Sequence, residues 1–175
     1  MNKLLIETTR LFIRQPTPED LDYLITWLTD SVTSKHVGGV RPLEKIKETM
    51  EKTLSNWKSK NFGGGIVVLK TTSEVIVICG ISEVVIDEKV ENDLGYLIDK
   101  KYWNQGFATE ASRAMMDYGI SILGMTRITA WPNKKNISSI KVAEKLGFKF
   151  EKEISEKHYG KLLSGMCLYI WSSST

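Results

Sequence analysis

Residues 94–113 read LGYLIDKKYWNQGFATEASR. An apolar strand gives way, through a turn with one glycine, to a helix that begins at once. Such a junction can do chemistry. The first amide N–H groups of a helix have no carbonyl partner within it, and the aligned peptide dipoles add partial positive charge there. An anion, a phosphate above all, is stabilised in that place. Gly106 permits the bend and puts no Cβ in a ligand's way. Ala108 keeps the next approach small, and Thr109 offers a hydroxyl donor. Asn104, Gln105, Gly106, Phe107, Ala108 and Thr109 are therefore candidates for a nest of N–H groups around a pyrophosphate. A single glycine is not GxGxxG, and no GxxxxGK[ST] occurs, so dinucleotide and nucleoside-triphosphate readings lack their signatures.

The flanking sequence must position that turn. Leu11, Phe12 and Ile13 suggest a first strand. Thr17-Pro18-Glu19-Asp20 then marks a helix start, with Thr as N-cap, Pro at the first helical position and acids near the positive dipole end. Leu21, Leu24, Ile25 and Leu28 follow at helical spacing. A second helix is expected from near Leu43 to Lys58, with Leu43, Ile46, Met50, Leu54 and Trp57 on one face. After Asn61–Gly65 come two β-rich runs, GIVVLKTT and EVIVICGISEVVID, joined by a hairpin turn at residues 71–74. VIVICGI is nearly all apolar and reads as buried on both faces. ENDLGYLID is the next strand. A helix from about Phe107 to Leu123, ended by Gly124, precedes the strand TRITAW, which Pro132 stops. Asn136 can cap a helix through Ile140, Ala143 and Leu146, with Lys145 in its last turn and Gly147 to terminate it. FKFEKEI and a run from about Leu163 to Trp171 read as a closing pair of strands. The order is β-α-α-β-β-β-α-β-α-β-β: one α/β (α+β) domain over residues 1–175 with a frayed tail at 172–175.

Composition excludes several classes. The chain has 175 residues, 42% hydrophobic and 26% charged, which suits one core. A formal charge of +3 is too small and too dispersed for nucleic-acid binding. No apolar run approaches the ~20 residues of a membrane span, and the N-terminus does not read as a signal peptide. Cys79 and Cys167 sit in apolar runs without metal spacing, as core residues of a reducing cytoplasm do. The expectation is a cytoplasmic protein with no metal, nucleic-acid or membrane partner.

YWNQGFATEA resembles the acetyl-CoA-binding turn of the GNAT family of N-acetyltransferases, in the branch of the ribosomal-protein alanine N-acetyltransferases. The family writes it Q/R-x-x-G-x-G/A. Here it aligns as Trp103-Asn104-Gln105-Gly106-Phe107-Ala108, with Trp103 in place of Gln or Arg. DLGYLID is similar to the family's fourth strand. NISSIKVAEKLGF is similar to the branch's N-x-x-S…E-K-L-G-F segment, at Asn136, Ser139, Glu144, Lys145, Leu146, Gly147 and Phe148. TTRLFIRQPTPEDLDYL is similar to its N-terminal strand and helix. The resemblance covers about residues 8 to 150.

This resemblance implies a mixed, mostly antiparallel sheet, helices on both faces, and a splay between the fourth and fifth strands. It implies acetyl-CoA as co-substrate, with the pyrophosphate on the turn and the pantetheine arm along the backbone of Leu97 and Ile98. Asn136 and Ser139 would lie across the cleft, near the thioester. The acetyl group goes directly to a primary amine, on a protein N-terminus, a polyamine or an aminoglycoside-like small molecule. The amine must lose a proton, so a carboxylate base is needed. Asp93, at the start of the fourth strand, and Glu83, after an apolar run, are the candidates; His36 and His158 are alternatives. Family members often place an acidic tyrosine where this chain has Ala143, so Ser139 is the hydroxyl left to stabilise the thiolate. Lys134 and Lys135 are candidates to steer the cofactor's phosphates. Trp27, Trp57, Trp131 and Trp171 read as core or cleft wall. Many family members are homodimers. A different reading is a CoA-binding sensor that kept the fold and lost catalysis.

Overall fold

The computed structural model describes residues 4–86, 88–154 and 165–173. Its elements run β1 (Leu4–Glu7), β2 (Leu11–Arg14), α1 (Leu21–Thr29), α2 (Leu43–Lys60), β3 (Gly64–Leu69), β4 (Val75–Ile86), β5 (Lys89–Ile98), α3 (Phe107–Ser121), β6 (Arg127–Ala130), α4 (Ile137–Lys145), β7 (Lys149–Glu153) and β8 (Cys167–Ser172). The order is the one expected, with β1 added in front, paired antiparallel to β2. Thr17 and Pro18 do open the first helix, through one 3-10 turn. There the Thr17 N–H donates to Asp20 Oδ2 at 2.7 Å, and Arg14 grips both oxygens of Asp20 at 2.6 and 2.7 Å. On α2, Ile46, Met50 and Trp57 are buried as expected. Leu43, the first residue of α2, is instead 44% exposed.

The eight strands form one sheet in the order β1-β2-β3-β4-β5-β6-β8-β7. Every pair is antiparallel except β5 with β6. Side chains alternate along each strand, so the two faces have separate cores. Ile78 and Leu97 pack with Leu24, Trp27, Leu28, Ile46 and Met50 of α1 and α2. Cys79 and Ile81 pack with Ala111 and Met115 of α3 and Ala143 of α4. VIVICGI thus lies between two helical layers, which explains its nearly continuous apolar run. Cys79 and Cys167 are free and buried.

β3 and β4 approach so closely at Gly80 that a Cβ there would lie 2.0 Å from the Gly63 carbonyl oxygen. Backbone cannot yield as a side chain does. Gly80→Ala is expected to cost on the order of 3 kcal/mol, read as a lower denaturant midpoint with unchanged m-value.

One seam in the sheet is open. β5 and β6 share a single register pair, Asp93 with Thr129. Beyond it β5 runs on to Ile98, whereas β6 ends at Ala130, two residues before Pro132. These are the fourth and fifth strands counted from the Leu11 strand, and they part as the resemblance implies.

Candidate active site

The turn at the mouth of α3 is built by two left-handed residues, Asn104 (φ 62°) and Gly106 (φ 81°). Asparagine tolerates that region better than most side chains, and glycine enters it freely. Gly106 is the N-cap of α3, and its carbonyl accepts the first helical bond, from the Glu110 N–H at 3.1 Å. Among the described residues, no protein acceptor takes the N–H groups of Gln105, Gly106, Phe107, Ala108 or Thr109. Arg10 braces the turn from outside. It donates to the Gln105 carbonyl at 2.9 Å and to Glu110 Oε2 at 2.6 Å, and stands 4.3 Å from the Phe107 ring centroid. It thereby neutralises the acid in the first turn of α3, which would otherwise repel an anion.

Two clefts open from the seam. The first, about 470 Å³, has Leu97, Ile98, Trp103, Asn104, Gly106, Phe107, Ala108 and Thr109 on one wall and Lys141 and Lys145 of α4 on the other. The second, about 430 Å³, is lined by Arg41, Val84, Val85, Asp93, Leu94, Trp131 and Met166 among others. His36, Val37, Tyr96, Asn136, Ser139 and Val142 border both. Gln105 lines neither; its side-chain amide turns back to the Lys101 carbonyl at 3.1 Å.

The backbone of β5 offers its polar groups to the first cleft in alternation. The Asp99 N–H donates to the Ile76 carbonyl at 3.1 Å. The antiparallel rule then points the groups of Leu97 toward β4 and those of Tyr96 and Ile98 toward the seam. Of the two residues expected to face a ligand arm, Ile98 turns its N–H and C=O outward and Leu97 does not; Tyr96 is the second outward residue. The Trp103 indole donates to the Ile98 carbonyl at 3.0 Å, fixing the wall of the cleft.

The candidate carboxylates separate cleanly. Asp93 lies within β5, opposite Ser82, and not at the strand's start, because pairing with β4 extends back to Lys89. It keeps some accessible surface at the floor of the second cleft, yet burial pushes its pKa up to about 7, against the pull of a 3.2 Å bond from Thr129 Oγ1. Glu83 does not face a cleft. It follows Ser82, so alternation sends it to the sheet face opposite Asp93, where it pairs with Lys60 at the end of α2. His36 borders both clefts; burial first, and Lys35 second, hold its pKa below the usual histidine value. His158 lies outside the described residues. Lys134 and Lys135 line neither cleft, and Lys134 pairs with Glu153 at 3.1 Å. The lysines beside the turn are Lys141 and Lys145 instead.

Asn136 caps α4, its Oδ1 accepting the Ser139 N–H at 3.2 Å. That fixes Ser139 at the junction of the clefts. Its Oγ accepts a hydrogen bond from the Tyr96 hydroxyl at 3.0 Å.

A sequence profile described as an acetyltransferase (GNAT) domain matches residues 10–149. The chain belongs to the GNAT acetyltransferase family. It is 30% identical to an uncharacterized N-acetyltransferase, p20, of Bacillus licheniformis over 164 residues, covering 89% of each chain. Among solved structures, an acetyltransferase from Agrobacterium tumefaciens superposes with a TM-score of 0.82 at 22% identity, covering 96% of this chain and 94% of that one. The acetyltransferase RimL in complex with coenzyme A superposes with a TM-score of 0.77 at 13% identity, covering 97% and 98%. The protein is an N-acetyltransferase of the GNAT fold. No helix among the described residues is long and apolar enough to cross a membrane.

Within this GNAT fold, three groups escape a reading of the sequence. Tyr96 stands in the GY pair of β5, 43 positions from Ser139, and only the fold brings their hydroxyls together. Arg10 is 95 positions from Gln105. Arg41 sits in a loop whose residue types carry no pattern. For Tyr96 a signal was present: a tyrosine on the strand facing the one helix whose expected tyrosine is Ala143.

Proposed function

We propose that this acetyltransferase seats acetyl-CoA in the first cleft, takes a primary amine into the second, and transfers the acetyl group directly between them. The observation that carries this reading is that the two clefts meet at Tyr96, Asn136 and Ser139, inside the seam between β5 and β6. The unpaired N–H groups of the turn, the missing Cβ of Gly106 and the two lysines of α4 suit a diphosphate. Trp103, Asn104, Phe107, Ala108 and Thr109 form its wall, and the outward groups of Ile98 and Tyr96 suit an amide-bearing arm.

Each residue then has a chemical task. Asp93 accepts the proton of the attacking amine, directly or through one water. The outward Tyr96 N–H donates to the oxyanion as the carbon–nitrogen bond forms. As the carbon–sulfur bond breaks, Ser139 donates to the departing thiolate. Because Ser139 Oγ accepts from Tyr96, its own proton is free to point at sulfur, and Tyr96 aligns it. Tyr96→Phe keeps the ring and removes the hydroxyl. It is expected to lower kcat about tenfold while the KM for acetyl-CoA holds, the loss of one directed hydrogen bond.

The acceptor is a small amine or a protein N-terminus. The test incubates the protein with acetyl-CoA and a panel of both kinds, following thiol release and an added acetyl mass. Release that depends on an amine supports the reading. Coenzyme binding with no release across the panel would overturn it in favour of a sensor.

A further inference from the structure

Arg41 is the only arginine among the described residues that lines either cleft, and it lines the second alone. Its backbone is fixed, the N–H donating to the Leu28 carbonyl at 3.0 Å before Pro42 starts α2. Arg41 is half-buried, and its Nη2 donates to the Val37 carbonyl at 2.7 Å. Of the other four arginines, Arg10, Arg14 and Arg127 each hold a carboxylate, at 2.6, 2.6 and 2.9 Å. Arg113 is exposed, outside both clefts, and donates to the Lys145 carbonyl at 2.9 Å. Arg41 holds none among the described residues. Burial alone acts on it, pulling its pKa down with no acid to oppose the shift. A desolvated cation without a counter-ion is costly unless a ligand brings one. A guanidinium also presents a planar fork of donors that matches a carboxylate.

The other charges around this cleft agree. Asp93 is its one acid among the described residues and is assigned to the reacting amine. His36 is held toward the neutral form by burial and by Lys35. A polyamine would bring a second cation toward Arg41, with no further acid among the described residues lining the cleft to receive it. An acceptor with an anionic group would place its amine at Asp93 and its anion at Arg41.

Building on the acetyl-transfer reading, we propose that Arg41 makes the second cleft selective for primary amines that also carry a carboxylate. A free amino acid and an acidic residue beside a protein N-terminus present this same chemistry.

The test compares acceptors of one chain length that differ only at the far end. These are ω-amino acids of four to six carbons, the matching diamines and the matching simple amines. A peptide with aspartate in second place, against the same peptide with asparagine, separates the protein source from the free one. The expected result is a kcat/KM at least about tenfold higher for a carboxylate-bearing acceptor than for its neutral and cationic partners. Arg41→Gln should erase that ratio, whereas Arg41→Lys keeps part of it. If Arg41 only staples the loop through Val37, Arg41→Gln lowers all acceptors alike and the ratio survives, which overturns the proposal. A wild-type preference for diamines or neutral amines also overturns it, while leaving acetyl transfer intact. Failure of every amine removes the acetyl-transfer reading, and this proposal with it.

Discussion

Gly106→Trp is expected to weaken acetyl-CoA binding by at least about a hundredfold in titration calorimetry. Gly106 holds φ 81°, a region an L side chain enters at a cost of about 1–2 kcal/mol. Its absent Cβ faces open space except for Arg10 Nη2 at 3.4 Å. A tryptophan there fills the cradle and sterically keeps the phosphate oxygens from the N–H groups of Phe107, Ala108 and Thr109. Each lost charge-assisted bond is worth about 1.5–3 kcal/mol, so losing two accounts for the drop. Gly106→Ala separates strain from blockage: it carries the φ penalty without the bulk, and should lose less affinity than the tryptophan. Circular dichroism confirms that both remain folded. An unchanged dissociation constant for the tryptophan variant would remove the phosphate from this turn.

Asp93→Asn is expected to cost about a hundredfold or more in kcat, the usual scale for a lost general base. It also carries a second, opposite signature. The Asp93 carboxyl sits at about 7 in the fold because burial disfavours its charge. In the unfolded chain it returns to about 3.9. Between those values the folded protein retains a proton that the unfolded chain has released. This contribution to stability therefore declines as pH rises from about 4 toward 7, and above the folded pKa the buried charge is a standing cost. Asparagine never ionises. The variant should thus melt above wild type at pH 8 and close to it at pH 4, while losing the limb of the rate profile that rises through about pH 7. A variant that is slower and also less stable at pH 8 would show that Asp93 is an ordinary structural carboxylate.

How much of this was legible in the sequence depends on the distance over which each feature is encoded. The turn at Gly106 is local: strand, glycine, small residue and helix lie side by side in the chain, so the junction could be read directly. The capping of α4 by Asn136 is equally local. The open seam came with the family resemblance, since no single strand's pattern says which neighbour it leaves. Asp93 and Glu83 could not be told apart without register. A pairing of Ser82 with Asp93 puts them on opposite faces, and a shift of one residue would reverse that. The closing strands show the same limit. β8 lies between β6 and β7, although β7 comes first in the chain, because β8 bonds to both. The contact of Tyr96 with Ser139 spans 43 positions, so neither residue's neighbours in the chain announce it.

Trp103 and Trp131 stand on the walls of different clefts, one beside the α3 turn and the other beside Asp93. Trp27 and Trp57 are sealed in the interior and Trp171, on β8, lines neither cleft, so what binds in the seam leaves their surroundings largely unchanged. The molecule therefore carries a built-in fluorophore in each cleft. With one of that pair replaced by phenylalanine at a time, the order in which donor and acceptor load can be followed by emission, without any attached dye.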